Sequence, residues 1–478
     1  MEYVPTGNRG LAAGLTAREL PPDSKRITLR GASLSGAIEF RRRFAGKRSK
    51  CESRGNDRCD LRGGRHSMKL GFIGSGFIAR FQAAAISQVP GLEIAGLTRR
   101  RASEAFADHC RRNGLGEARI YDSISELANR VDVIALFVPN YVRIEVMEEV
   151  VAAVKAGARL KGVILEKPLG RNMKEARRLV ELAKEAKLPT AYFENQIFMK
   201  AIQVQRKQLL GVTKSMGPLA LTRSAEEHGG PHEPWFWDPT RQGGGVLLDM
   251  GCHSIAVGRY VLTPPEKDLL FLQPLSVTAD VGLLKWGQPR WRDKLLKDRG
   301  VDYAKTPAED FATGMITYRN PETGQIVKAQ FTDSWMFEKQ GLRLFMDGMG
   351  PGYAFEINTL VSALNVFIGD AAAEAIADQE AALEKATASR GLLAVQYNEA
   401  DLYGYTDENQ DMLSAFSAGR NGMLSWEFGL EVQRLVMASY LAAERGKTID
   451  LTDKAVLAEL DSYIPLIQQG KGAAQLYK

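Results

Sequence analysis

The chain has 478 residues, 45% of them hydrophobic and 25% charged, with a formal net charge of +6. That balance belongs to a globular protein with a sizeable core and excludes a low-complexity or disordered chain as a whole. No run approaches the ~18 consecutive apolar residues of a membrane span, so no membrane partner is expected. Four cysteines without a Cys-x-x-Cys pair give no disulfide framework, and a reducing cytoplasm is the simplest setting.

Residues 1–67 differ from the rest. Arg41-Arg42-Arg43, Arg48, Arg54, Arg58, Arg62 and Arg65 stand among scattered glycine and serine with no sustained apolar period. Such a stretch buries too little apolar surface to offset its ordering entropy. It lacks the apolar core of roughly 7–15 residues that a secretory signal needs. Glu2, Glu19, Asp23 and Glu39 speak against a transit peptide, whose composition is poor in acids. The expectation is a disordered or non-native extension with Met68 as the natural start. Much of the positive charge lies in it, so no nucleic-acid partner is inferred from that charge.

From Met68 an apolar strand runs straight into Gly74-Ser75-Gly76-Phe77-Ile78-Ala79 and a helix. Gly74 permits the tight turn, Gly76 lets the backbone approach a pyrophosphate, and Ala79 lets the helix pack on its strand. The helix N-terminus offers unpaired N–H groups to phosphates, and Phe77 and Ile78 begin it. A second apolar run, Leu92–Thr98, follows at βαβ distance. Further runs lie at 131–138, 162–165 and 190–193, separated by helical periodicity over 144–156 and 174–186, the latter with Asn172 as N-cap and Glu175 three residues on. Alternation of this kind predicts a parallel sheet covered by helices, a dinucleotide-binding domain over 68–195. Ligands of such sheets bind beyond the carboxyl ends of the strands. Thr98, Pro139, Asn140, Glu166 and Lys167 therefore join the glycine turn as cofactor contacts. At the end of the second strand a NAD site usually carries an acid. Here Thr98-Arg99-Arg100 offers a hydroxyl and guanidinium groups that suit a 2′-phosphate, favouring NADP while leaving NAD open.

Lysine is costly to bury, so Lys167 in Glu166-Lys167-Pro168 either faces solvent or polarises a substrate hydroxyl. Far along the chain, Gly243-Gly244-Gly245 precedes Asp249 and His253. On a regular helix these two would face the same way, and an acid beside an imidazole suits abstraction of a hydroxyl proton. The segment 223–237 follows an apolar strand at 219–221 and reads as a loop at the mouth of the site. In it Glu227, His228, His232 and Trp237 are candidate substrate contacts. After substrate contact, a structural role comes next for the two histidines and metal binding with a glutamate last, since their spacing gives a metal site no support. Asn195, with Gln196, stands at another strand end as a substrate amide or a turn cap.

These pieces together resemble the Gfo/Idh/MocA family, the glucose–fructose oxidoreductase and inositol dehydrogenase group. They are Gly74-x-Gly76-x-x-Ala79, Pro139-Asn140, Glu166-Lys167-Pro168, Gly243-Gly244-Gly245…Asp249-x-Gly251-x-His253, and the late Ala438-Ser439-Tyr440…Gly446-Lys447-Thr448. The resemblance implies a Rossmann domain followed by an α+β domain over 196–478 with a large, mostly antiparallel open sheet. It also implies a homo-oligomer (dimer or tetramer) packed sheet to sheet and a cis peptide at Lys167-Pro168. The last helices could pack back on the first domain. Lys167, Asp249 and His253 become the catalytic trio: His253 the general base, Lys167 a donor to the reacting oxygen, Asp249 a contact to a substrate hydroxyl or to His253. Three positions depart from the family pattern: Arg143 replaces a histidine, Ala256 an acid, and Trp235-Phe236 a Trp-Arg pair. Of the remaining chain, 314–318 and 326–332 read as strands, 285–305 and 370–390 as extra segments, the latter helical by propensity. Trp335 and Trp426 read as core or interface residues.

The function expected is NAD(P)-dependent hydride transfer to or from a secondary hydroxyl of a sugar, glycoside or cyclitol, without a metal. Two other readings stay open. One is a glycosidase or lyase that retains its dinucleotide and oxidises the sugar transiently; the other is a non-catalytic nucleotide sensor.

Overall fold

From Met68 the apolar runs become β1 (Met68–Ile73), β2 (Leu92–Thr98), β3 (Arg119–Tyr121), β4 (Val133–Leu136), β5 (Gly162–Glu166) and β6 (Thr190–Phe193). In the computed structural model of the protein they form one parallel sheet in the order β3-β2-β1-β4-β5-β6. The structure describes residues 67–100, 102–338, 342–360, 365–368, 391–394 and 398–477. The expectations for the N-terminal extension (residues 1–66) and for a helix over 370–390 lie outside the described residues. Every residue of β4 and β5 is buried, because helices cover both faces of the sheet and both faces must be apolar. Around the sheet lie α1 (Phe77–Ile86), α2 (Ser103–Arg112), α3 (Ile124–Ala128), α4 (Arg143–Lys155) and α5 (Met173–Glu185). The predicted cap of α5 forms: Asn172 Oδ1 accepts from Glu175 N at 3.1 Å, satisfying one of the helix's unpaired donors.

After α6 (Lys200–Met216) the chain builds its second sheet. The strands are β7 (Leu221–Glu227), β8 (Gln273–Gly282), β9 (Phe311–Arg319), β10 (Ile326–Ser334), β11 (Arg343–Gly350) and β12 (Tyr353–Asn358). β13 (Asn365–Ile368) and β14 (Gly391–Ala394) pair only with each other, and β15 (Ile449–Asp450) closes the large sheet at its β8 edge. Its order is β12-β11-β7-β10-β9-β8-β15. Only β7 and β10 run parallel; the other neighbours are antiparallel. The Rossmann-type sheet followed by a mostly antiparallel one is thus the architecture expected.

Between the short α7 (Pro239–Gln242) and α8 (Cys252–Leu262), residues Leu247–Gly251 form a π-helical turn that runs directly into α8. α8 is buried along its whole length against β7 and β10. Of the expected extra segments, 285–305 contains α9 (Pro289–Arg299). Trp335 and Trp426 are fully buried, as a core role requires.

The last helices return to the first sheet. The Tyr405–Ser417 helix packs on α1, with the Phe81 and Tyr405 rings 5.2 Å apart. Its Met412, Ala415 and Phe416 join Leu70, Phe72 and Ile164 in one apolar cluster. The outer edge of β6 is covered by residues 422–424: Gly422 N donates to Thr190 O at 3.0 Å and Tyr192 N to Leu424 O at 2.8 Å. Among the described residues no helix is long and apolar enough to cross a membrane.

Candidate active site

The glycine turn between β1 and α1 has the geometry its sequence predicts. Gly74 sits at φ +115, where a Cβ would lie 2.1 Å from the Phe137 carbonyl oxygen. Gly76 is exposed, and a Cβ there would meet nothing within 4 Å. Gly76 also caps α1 without a side-chain bond, and the first turn of α1 carries no acid. An open, uncapped and unopposed helix start fits a dinucleotide pyrophosphate. Ile78 is half-buried against the sheet core, and the Phe77 ring lies 4.9 Å from that of His232.

At the end of β2 the turn is fixed by Ser103, whose Oγ donates to Thr98 O at 2.8 Å and accepts from Arg100 N at 2.8 Å. Arg99 is committed to carboxylates, Asp122 at 2.5 Å and Glu104 at 3.1 Å. Arg100 donates to Arg99 O at 2.9 Å, and among the described residues no carboxylate pairs with it. Pro139 is half-buried, and Asn140 is tied to the glycine-rich segment, Nδ2 donating to Gln242 O at 2.7 Å.

The end of β5 carries the cis Lys167-Pro168 peptide. Arg143, where the family pattern has histidine, is buried and turns its guanidinium onto the carbonyls of Pro168 and Lys167, the latter at 3.2 Å. Burial lowers its pKa to about 10. Lys167 Nζ donates to Asp249 O at 2.8 Å and Oδ1 at 3.2 Å. Burial opposes its charge, but the neighbouring acids, Asp249 foremost, hold the ammonium well above its ordinary range.

Asp249 therefore belongs to Lys167 and does not orient His253. The ring is held by Glu194, whose Oε1 meets His253 Nδ1. The physical reason is the π turn: its extra residue rotates Asp249 out of the i,i+4 relation with His253 that a regular helix would give. Glu194 is fully buried at the end of β6, one residue before the singled-out Asn195. With Nδ1 so engaged, Nε2 points into the site, where it lies 3.9 Å from Glu226 Oε2.

Glu226 corrects a second expectation. The segment read as a loop from 223 continues β7 to Glu227, and on a strand successive side chains leave by opposite faces. Glu226 enters the site. Glu227 leaves by the other face and pairs with Arg343 and with Ser334 Oγ at 3.2 Å. Glu226 accepts from Gln196 Nε2 at 2.6 Å, and its backbone N donates to Asp333 Oδ1 at 3.1 Å. Ser254 Oγ also donates to Asp333 Oδ1, at 2.7 Å. Burial raises the Glu226 carboxyl to about 7 and that of Asp333 to about 8.

Other predicted substrate contacts are engaged elsewhere. Asn195 Nδ2 donates to Tyr403 O at 2.7 Å, so this amide ties the turn to the late helices. Trp237 is buried, donating to Pro231 O at 3.0 Å, with the rings of Trp286 and Trp335 4.7 and 5.1 Å away; it is core, not a sugar platform. His228 Nδ1 accepts from Gly230 N at 2.9 Å within its own turn. The His232 ring, tilted 34° against that of Phe77, lies beside the glycine turn. Glu166 is buried and accepts from Gln82 Nε2, which also donates to Glu408, both at 2.9 Å. Burial pushes Glu166 up to about 7; it also raises Glu408, with the charge of Glu166 adding to the effect.

The triple glycine serves the protein's own packing. A Cβ on Gly244 would lie 2.0 Å from the Tyr440 hydroxyl, and one on Gly245 2.1 Å from Glu309 O. Glu309 Oε1 accepts from Gly245 N at 2.9 Å, Leu247 N at 3.1 Å and Tyr440 Oη at 2.5 Å. This buried carboxyl anchors the start of the turn that carries Asp249. Neither it nor its Tyr440 partner was a site candidate on sequence grounds.

Residues 68–193 match the oxidoreductase family with an NAD-binding Rossmann fold, and 213–347 match the GFO/IDH/MocA C-terminal domain. A Rossmann sheet followed by a mixed sheet, with both family models matching in that order, places the chain in a family of oxidoreductases with an NAD-binding Rossmann fold. The chain belongs to the Gfo/Idh/MocA family. It is similar to 1,5-anhydro-D-fructose reductase of Ensifer adhaerens, 28% identical over 195 residues that are 41% of this chain and 56% of that protein. It is also similar to inositol 2-dehydrogenase of Paracoccus denitrificans, 36% identical over 121 residues, 25% of this chain and 34% of that protein. The matches span about half or less of these curated relatives. Among solved structures, GenD2 from gentamicin A biosynthesis in complex with NAD has a TM-score of 0.62 at 20% identity. That match covers 84% of this chain and 99% of GenD2, a likeness of fold.

Proposed function

We propose that the protein is an NAD(P)-dependent dehydrogenase acting on a secondary hydroxyl of a sugar, glycoside or cyclitol. The observation that carries this reading is the junction of a part-buried pair, Lys167–Asp249, and a buried one, His253–Glu194, beside the open glycine turn. A bound nicotinamide dinucleotide supplies the hydride acceptor or donor. Gly74, Gly76, Phe77 and Ile78 would hold its pyrophosphate end, with Pro139, Asn140, Glu166 and Lys167 along the strand ends. His253 Nε2 takes the hydroxyl proton, and Glu194 fixes the ring and stabilises its charged form. Lys167, its charge secured by Asp249, donates to the oxygen as negative charge develops there. The names of the relatives, a sugar reductase and a cyclitol dehydrogenase, support the substrate class.

NADP is the preferred nucleotide in this reading. No acid ends β2, and with Arg99 engaged by Asp122 and Glu104, Arg100 is the residue left to meet a 2′-phosphate. A homodimer or tetramer built on the open face of the second sheet belongs to the same proposal. The test is turnover on a panel of myo-inositol, 1,5-anhydro-D-fructose and methyl glucosides, with fluorescence titration of NADPH against NADH. Lys167→Ala and His253→Ala should each lower turnover at least about 100-fold while nucleotide affinity stays within about twofold. Wild-type rates in either variant would overturn the mechanism.

A further inference from the structure

We infer that Glu226 is a second proton-carrying residue of this centre, straddling the substrate hydroxyl together with His253. The inference rests on the dehydrogenase reading above. His253 has one nitrogen for the substrate, since Nδ1 is committed to Glu194, and the ring is buried. Glu226 Oε2 lies 3.9 Å from Nε2, so a single oxygen can sit at hydrogen-bond distance, about 2.8 Å, from both. Gln196 Nε2, at 2.6 Å, fixes that carboxylate oxygen, and the Glu226 backbone is held by Asp333.

The charged groups around Glu226 come from every element packed on it. His253 faces it from α8, Asp249 from the π turn, Lys167 from the end of β5 and Asp333 from β10. On β11 its register partner is Leu344, which is uncharged, while Arg343 pairs with Glu227 on the opposite face. His253 and Lys167 favour the carboxylate; burial disfavours it and outweighs them, leaving the group near neutrality at about 7. A base inside a closed site must lose its proton before it can act again, and a near-neutral carboxyl beside it is matched to that task.

In the oxidation, a bound oxidised dinucleotide would supply the hydride acceptor as the carbinol C–O bond becomes C=O. The hydroxyl proton goes to His253 Nε2. As the product leaves, a water taking the place of its oxygen between Nε2 and Oε2 carries the proton on to Glu226, whose carboxylate becomes the acid as the imidazole returns to neutral, and from there it leaves to solvent. Reduction runs the same transfers backwards.

The test is histidine-labelled NMR of the full chain, with His253 assigned through His253→Asn. In the wild type the His253 ring signals should follow two ionisations. In Glu226→Gln they should lose the step that belongs to Glu226, expected near pH 7. Glu227→Gln should match the wild type, and Glu226→Asp should restore the second ionisation. Superimposable His253 curves in wild type and Glu226→Gln would overturn the inference. For a polyol the wild type turns over, Glu226→Gln should lose the acid limb of kcat near pH 7 and fall 10- to 100-fold. Absence of turnover on any polyol would sink the functional reading alone, leaving the NMR to decide the role of Glu226.

Discussion

Gly74 and Gly76 stand two residues apart in one turn, yet alanine at each should fail in a different way. At Gly74 the backbone lies at φ +115 and the new Cβ would overlap the Phe137 carbonyl. Strained backbone of this kind costs about 1–3 kcal/mol, and the overlap forces a backbone shift of similar cost, so Gly74→Ala should cost about 2–6 kcal/mol. Unfolding entropy of about 2.1 cal/mol/K per residue over the roughly 400 residues from Met68 onward converts this to a fall in Tm of about 2–7 °C. At Gly76 φ is −83 and the Cβ meets open space. Gly76→Ala should therefore leave Tm unchanged or slightly raised. It places a methyl group where the pyrophosphate must approach, so NADPH and NADH affinity should drop at least about tenfold, or 1.4 kcal/mol. Differential scanning fluorimetry and nucleotide fluorescence titration separate the two effects. If Gly76→Ala bound nucleotide as the wild type does, or if both variants lost stability equally, the assignment of the cradle would be wrong.

Glu194→Gln keeps the shape of the residue that holds His253 and removes its charge. The expected result is a loss in kcat of about 100- to 10,000-fold with nucleotide affinity unchanged, by analogy with buried acids that orient catalytic histidines; a loss under threefold would mean the pair is only structural. Asp333 predicts the pH dependence of stability. Its folded pKa, raised by burial to about 8, lies above the ordinary unfolded value near 3.9. The native state therefore binds more protons between those values, and stability should fall as pH rises from about 4 to 8, by up to about 5 kcal/mol at the single-site limit. Asp333→Asn should flatten Tm against pH between 5 and 8; an unchanged slope would show that the acid is not neutral when folded.

The first sheet was legible because β1, β2, β4, β5 and β6 are nearly continuous apolar runs, as strands buried on both faces must be. β3 escaped notice: it has three residues, Arg119-Ile120-Tyr121, lies at the sheet edge, and none of them is fully buried. The glycine turn and Lys167 were legible from local spacing. The acids that hold His253 and the π turn in place were not. Glu194 and Glu309 gain their roles from partners 59 to 131 residues away, and spacing carries no such information. Read as a loop, the segment has no sidedness, so Glu227 stands out as readily as Glu226. Once it is a strand, one position separates the centre from the opposite face. The π turn has no sequence signature in these residues, so Asp249 and His253 read as a pair when each belongs to another partner.

The covered edge of β6 bears on how far the nucleotide half can stand alone. The family match for that half ends at Phe193, inviting excision there. Yet the main-chain groups of Thr190 and Tyr192 are satisfied by residues 422–424, and Trp426 Nε1 donates to Ala191 O at 3.2 Å. A fragment cut at 193 would present a bare, apolar strand edge and an unroofed patch where Met412, Ala415 and Phe416 had packed. The two halves are separable as text and inseparable as a polymer: the C-terminal helices are the missing wall of the N-terminal domain.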